Sequence, residues 1–210
     1  GSFGTAANLV TGGVAGNVRL ADRLVAHLDA SYSHSDNLRV GGYVLSPELR
    51  AQTLAQAGEL AAAGDSEGAA ILGGQANRRG SIANSGTESW SVGGGMSFID
   101  DGGDIGVSVK RLGNDYGIPP RPSAEPEATA ISLRQTRVDL RAGVDLAGFV
   151  KRLEFRGAYG DYRHAEIEDG ARGTRFHNEA IEARLQIAQA RRGIWSGSSG
   201  VQYVSSRFDI

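Results

Sequence analysis

Apolar and polar residues alternate with a period of two over most of this chain. Leu24, Ala26, Leu28, Ala30 and Tyr32 fall on one side of a segment whose other side carries His27, Asp29 and Ser31. The pattern returns in Trp90–Phe98, in Ile105–Val109, and in Val138, Leu140, Ala142, Val144 and Leu146. It recurs in Leu153–Tyr159, in Ile181, Ala183, Leu185 and Ile187, and in Trp195–Tyr203. Successive side chains of a β-strand point to opposite faces, so each segment predicts a strand with one apolar and one polar face. Phe3, Thr5, Ala7 and Leu9 add one more strand, giving about eight in all.

The connections sort by length. Gly13–Asp22, Asp100–Asp104, Ala147–Arg152 and Arg191–Gly193 read as short turns. The alternate connections are Asn37–Thr87, Gly113–Thr129 (with four of the five prolines) and Asp169–Gly173. Short turns on one side and longer loops on the other are a feature of bacterial outer-membrane barrels, whose longer loops face outside. Within Asn37–Thr87, Ser46-Pro47-Glu48 is a helix start, with serine as N-cap and proline in the first turn. The run that follows predicts a helix over 47–63, closed by Gly64.

Composition narrows the class. Cysteine is absent, so there is neither a disulfide framework nor a thiolate metal site. Charge is nearly balanced at −2 with no basic stripe, which gives nucleic acid no purchase. No apolar run reaches the roughly 18 residues of a membrane-spanning helix. Gly1-Ser2-Phe3-Gly4 lacks the basic and apolar regions of a signal peptide, as in a mature chain or one cut from something longer.

Three features favour a membrane-spanning antiparallel β-barrel over a soluble sandwich. Alternation persists for about nine residues per segment, near the length a tilted strand needs to cross a bilayer. Aromatic residues (Trp90, Phe98, Phe149, Tyr159, Trp195 and Tyr203) sit near the ends of the apolar stretches, as in an interfacial belt. The apolar faces are rich in Gly and Ala, which suits a lipid-facing surface better than a close-packed core. The expected lumen-facing residues are then Asp139, Arg141, Asp145, Glu154, Arg156, Glu182 and Arg184.

Several segments resemble a known family. Asn114-Asp115-Tyr116-Gly117-Ile118-Pro119, Ile131–Leu140, Tyr159–His164, Gly173–Glu179, Trp195-Ser196-Gly197 and Val201-Gln202-Tyr203 look like strands and loops of TonB-dependent outer-membrane receptors, nearest the zinc-uptake-like branch. The resemblance covers the second half of the chain and, more loosely, Ser81–Phe98. It implies a barrel of about 22 strands enclosing a plug domain. It also implies an energy-transducing TonB complex as partner, lipid of the Gram-negative outer membrane around the barrel, and uptake of a scarce metal, metal chelate or haem. On that reading residues 1–210 are a partial barrel domain without plug or TonB box, and Arg207-Phe208-Asp209-Ile210 lacks the terminal aromatic of a complete outer-membrane protein. One departure bears on the ligand: Pro119–Glu127 contains none of the histidines that zinc-type relatives carry in this loop.

For a metal, the candidates are His164 and Glu166, with His177 on the next strand. Parity places His177 on the opposite face, so only a β-bulge would bring the two imidazoles together. No nucleophile elbow, phosphate-cradling loop or metalloprotease helix occurs, so no enzyme and no cofactor is expected. The alternative to a receptor fragment is a self-contained eight-strand barrel with an adhesin-like or structural role, whose first and last strands would pair.

Overall fold

The computed structural model describes residues 1–210. Its strands are β1 (Ser2–Gly4), β2 (Leu9–Ala21), β3 (Leu24–Ser35), β4 (Arg39–Tyr43), β5 (Arg79–Ser81), β6 (Thr87–Asp100) and β7 (Gly103–Ile118). They continue with β8 (Thr129–Asp145), β9 (Val150–Glu168), β10 (Ala171–Gln189) and β11 (Ser198–Asp209). Helices α1 (Pro47–Ala62) and α2 (Ser66–Ala76) lie between β4 and β5. Nine strands form one antiparallel meander in the order β1-β2-β3-β6-β7-β8-β9-β10-β11, while β4 and β5 make a separate ribbon. The end strands β1 and β11 do not pair, so the sheet is open.

The strand count and several boundaries differ from the sequence reading. Gly13–Asp22 is not a turn: all but Asp22 belongs to β2, paired with β3 from Val10↔His34 onward, and the connection is Asp22-Arg23. Gly12, Gly13 and Gly16 thin the apolar alternation there and mimic a loop composition. Phe3–Leu9 is not one strand, since β1 ends at Gly4 and a turn through Asn8 (φ 47°) leads into β2. Trp195 lies in the connection before β11 rather than in the strand. Asp169–Gly173 contracts to a two-residue hairpin, Asp169-Gly170, with φ of 49° and 83°. Positive φ at both central residues is the type I′ signature, whose twist matches the flanking strands.

The helix at Ser46 forms as its cap requires, with Ser46 Oγ accepting from Leu49 N at 3.2 Å. A second helix, unread in the sequence because Gly68, Gly73 and Gly74 dilute its propensity, is capped by Asp65 accepting from Gly68 N at 2.9 Å. Thr53, Ala57, Leu72 and Ala76 are buried in this helical hairpin. Gln75 ties it to the proline-rich loop, donating to Ser123 O at 3.0 Å and accepting from Ser123 N at 2.9 Å. On the adjoining ribbon, Arg79 and Arg50 stand over the Tyr43 ring at 3.8 and 4.1 Å; hydrogen bonding from Arg79 first, and then the two positive charges, lower the pKa of its hydroxyl against an opposing effect of desolvation.

Only nine of the 210 residues are buried, and the sheet is a single layer. Its cross-strand rows explain why. On one face run Val144–Leu153–Ile187, then Phe98–Ile105–Ala142–Phe155–Leu185–Val201, then Met96–Val107–Leu140–Gly157–Ala183–Tyr203. A fourth row, Leu28–Gly94–Val109–Val138–Tyr159–Ile181, completes an apolar band that nothing in the chain covers. Val107 is 47% exposed, Ile181 52% and Val201 66%. Towards the long loops the same face turns charged in one step from β7 to β11, with Arg111–Thr136–Asp161–Glu179–Arg207 in the next row, while on β3 and β6 that row is still apolar at Ala30 and Val92.

Candidate functional site: the concave polar face

The opposite face is concave. A hollow of about 720 Å³ is lined by residues from seven strands, among them Asn17, His27, Ser108, Asp139, Arg156 and Glu182. A flat sheet could not gather side chains from β2 through β10 around one space, so the sheet curves with its polar face inward. All seven residues expected to face a lumen share this face. Asp145, Arg141 and Asp139 alternate along β8, Glu154 and Arg156 along β9, and Glu182 and Arg184 along β10.

Within the hollow, Arg141, Arg156 and Arg184 stand abreast in one row. Their ion pairs are long: Arg141 reaches Asp104 at 3.4 Å and Arg156 reaches Glu154 at 3.9 Å, while Arg184 bonds only the neutral Gln186 at 2.9 Å. Like charges directly opposite one another across strands repel. The row therefore forms a positive stripe that carboxylates of this chain only partly offset, and it is the part of the hollow best suited to an anionic partner. Arg156→Gln is expected to leave unfolding stability unchanged or raise it slightly, because it removes two like-charged cross-strand neighbours, which are destabilising, at the cost of one long ion pair to Glu154. A clear loss of stability in denaturant titration would show instead that the row is structural.

Below the stripe, Arg152 gathers Asp145 at 2.9 Å, Glu154 at 3.1 Å and Asp104 at 2.5 Å, anchoring the short-turn ends of three strands. Above it the concave face turns aromatic. His164 stacks on Phe176 at 4.3 Å, Phe176 neighbours Phe208 at 6.1 Å, and the Tyr162 hydroxyl meets His164 Nδ1 at 3.0 Å.

His164 and Glu166 share the concave face, as parity predicts, but His164 is engaged in this aromatic ladder and lies across from Leu133 and Phe176. His177 pairs with Arg163 on the convex face, and the two imidazoles are not brought together. The side chains that do converge with metal-ligating atoms are Asp161, His177 and Glu179. The expected aromatic belt is only partly at the edges of the apolar band. Trp90 and its register partner Tyr32 lie two rows beyond the band towards the long loops, Tyr159 is in its last row, and Trp195 is in the connection at the other end. Phe98 stands near the short-turn edge, whereas Tyr203 is in the middle of the band.

No protein-family model matches the chain, and no curated protein matches it either.

Proposed function

We propose that this chain is the barrel portion of a TonB-dependent receptor in the outer membrane of a Gram-negative bacterium. It would take up a scarce ligand such as a metal, metal chelate or haem. The observation that carries the membrane part is the uncovered apolar band. A single-layer sheet with four successive apolar rows exposed on one face has no second layer to bury them, and soluble monomers rarely leave apolar patches beyond a few hundred Å². Lipid covers such a face without close packing, and the polar concave face then becomes a lumen. Strand length agrees. At about 3.3 Å per residue, the 19 residues of β9 far exceed an apolar band about 25 Å tall. The charged rows on the long-loop side are the extracellular extension of the strands.

The receptor part rests on the resemblance of Asn114–Pro119, Ile131–Leu140, Tyr159–His164 and Gly173–Glu179 to that family. Its plug domain and the TonB complex are the implied partners, and the arginine row is a surface against which an acidic plug or an anionic ligand would fit. The self-contained barrel is disfavoured by the unpaired β1 and β11 edges.

Two measurements separate these parts. The intact protein is expected to require detergent, and a monodisperse preparation in plain buffer would end the membrane reading. Cells carrying the gene are expected to accumulate radiolabelled zinc, ferric chelate or haem in a manner that stops when the proton-motive force is collapsed. Accumulation of all three unchanged by gene deletion would remove the receptor reading while leaving the barrel intact.

A further inference from the structure

The convex face holds a cluster that transport through the hollow does not use. Just beyond the apolar band, His177 Nε2 lies 3.1 Å from Asp161 Oδ1 and 4.0 Å from Glu179 Oε1, and all three ligand atoms fall within 4.8 Å of one another. Zinc held at about 2.0–2.2 Å by nitrogen and oxygen in tetrahedral geometry sets its ligands roughly 3.3–3.6 Å apart. The observed separations bracket that value.

Each carboxylate is also oriented from outside the cluster. Arg163 grips Asp161 with two bonds, at 2.9 Å to Oδ1 and 2.8 Å to Oδ2, and the Tyr159 hydroxyl donates to Glu179 Oε1 at 3.1 Å. Metal-binding carboxylates are characteristically held in this way by an outer shell of donors. The backbone fixes the rest: Asp161 and Glu179 are direct cross-strand partners, with His177 two residues along β10 on the same face.

We propose that Asp161, His177 and Glu179 form a site on the convex face for a borderline divalent cation such as zinc. One imidazole and two carboxylates suit zinc better than calcium or magnesium, which take oxygen ligands alone. Three protein ligands leave a fourth position open to water or an exogenous donor. Arg163 and Arg207, the register partners of His177 and Glu179, oppose the cation's charge and weaken its binding. Asp209, opposite His177, is taken up by Arg207 at 3.3 Å and stays outside the ligand set.

Cation binding at this site requires neither transport nor a membrane. Zinc is titrated calorimetrically into the full chain, in detergent or in whatever buffer keeps it monodisperse, and cobalt is followed by its visible absorption. One ion per chain is expected. His177→Ala and the conservative Asp161→Asn should each weaken binding about tenfold or more, while His164→Ala on the opposite face leaves it unchanged. Far-ultraviolet circular dichroism confirms that each variant is folded. The proposal is overturned by an absence of zinc binding to the parent chain. It is equally overturned if the parent's affinity persists in both folded variants, or if His164→Ala weakens binding as much as His177→Ala does.

Discussion

Leu140→Arg is expected to destabilise the protein in lipid by about 2–4 kcal/mol, the cost of a basic side chain near the midplane of a barrel's lipid face. Leu140 sits in the third of the four apolar rows, between Val107 and Gly157, and is 39% exposed in the bare sheet. Ser108→Arg is the matched control. Ser108 pairs with Asp139 on the concave face, one residue along β7 from Leu140's partner Val107, and a cation there points into a polar hollow beside a carboxylate. The two variants add the same charge at nearly the same height, so their difference reports only which face is in hydrocarbon. Were the sheet solvated on its apolar face, Leu140→Arg would place a charge in water and cost almost nothing. Equal unfolding free energies for the two variants in vesicles would remove the argument for lipid.

Gly117→Ala is expected to cost about 1–3 kcal/mol, the range for overpacking a fitted site. A Cβ at Gly117 would meet the Asn84 side chain and, at 2.6 Å, the Asn84 backbone oxygen. Asn84 is held in place: its φ is 55°, and its amide donates to Ile118 O at 2.8 Å and Thr129 O at 2.6 Å. Gly117 N in turn donates to Gly86 O at 3.1 Å. These bonds strap the returning end of the long loop across the tops of β7 and β8. An added methyl would push the strap off rather than compress it. Hydrogen exchange should therefore rise first at 82–86 and 117–129, with the sheet below unaffected. Asn84→Ala should give the same local pattern by removing the two amide bonds. Unchanged protection in both variants would mean that the loop is held by other contacts, with the α2–Ser123 tie as the first to examine.

Much of the sheet was legible because one face is continuously apolar. In β3, β6, β8, β9 and β10 the alternation alone assigns each side chain to its face, and the seven polar residues expected to line an interior all share the concave one. The helix at Ser46-Pro47 was legible from its cap. What escaped lacked those signals. In β2 the glycines carry no side chain to alternate, and α2 has glycine where helix formers would announce it.

The Asp161–His177–Glu179 cluster depends on register, which side-chain pattern does not determine near a turn. The tight Asp169-Gly170 hairpin pairs Arg172 with Ile167, but after the irregularity between Arg172 and Arg175 the pairing is Arg175 with Ala165. That one-residue shift sets His177 opposite Arg163. Continued without it, the hairpin register would have set His177 opposite Tyr162, on the face of His164. The irregularity thus acts opposite to the bulge that the sequence reading required: it keeps the two histidines apart and delivers His177 to the carboxylates of the other face. The only sequence trace of the cluster is that all three residues are odd-numbered, like Tyr159 and Ile181 of the apolar face.

Coverage of the apolar band by lipid can be read out directly. Trp90 and Trp195, the chain's two tryptophans, can be replaced by phenylalanine and a single reporter placed as Leu140→Trp or Ser108→Trp. In vesicles of lipid brominated along the acyl chains, the fluorescence of the Leu140→Trp protein should be strongly quenched and that of the Ser108→Trp protein spared. A Leu140→Trp reporter left unquenched, or two reporters quenched alike, would contradict the account.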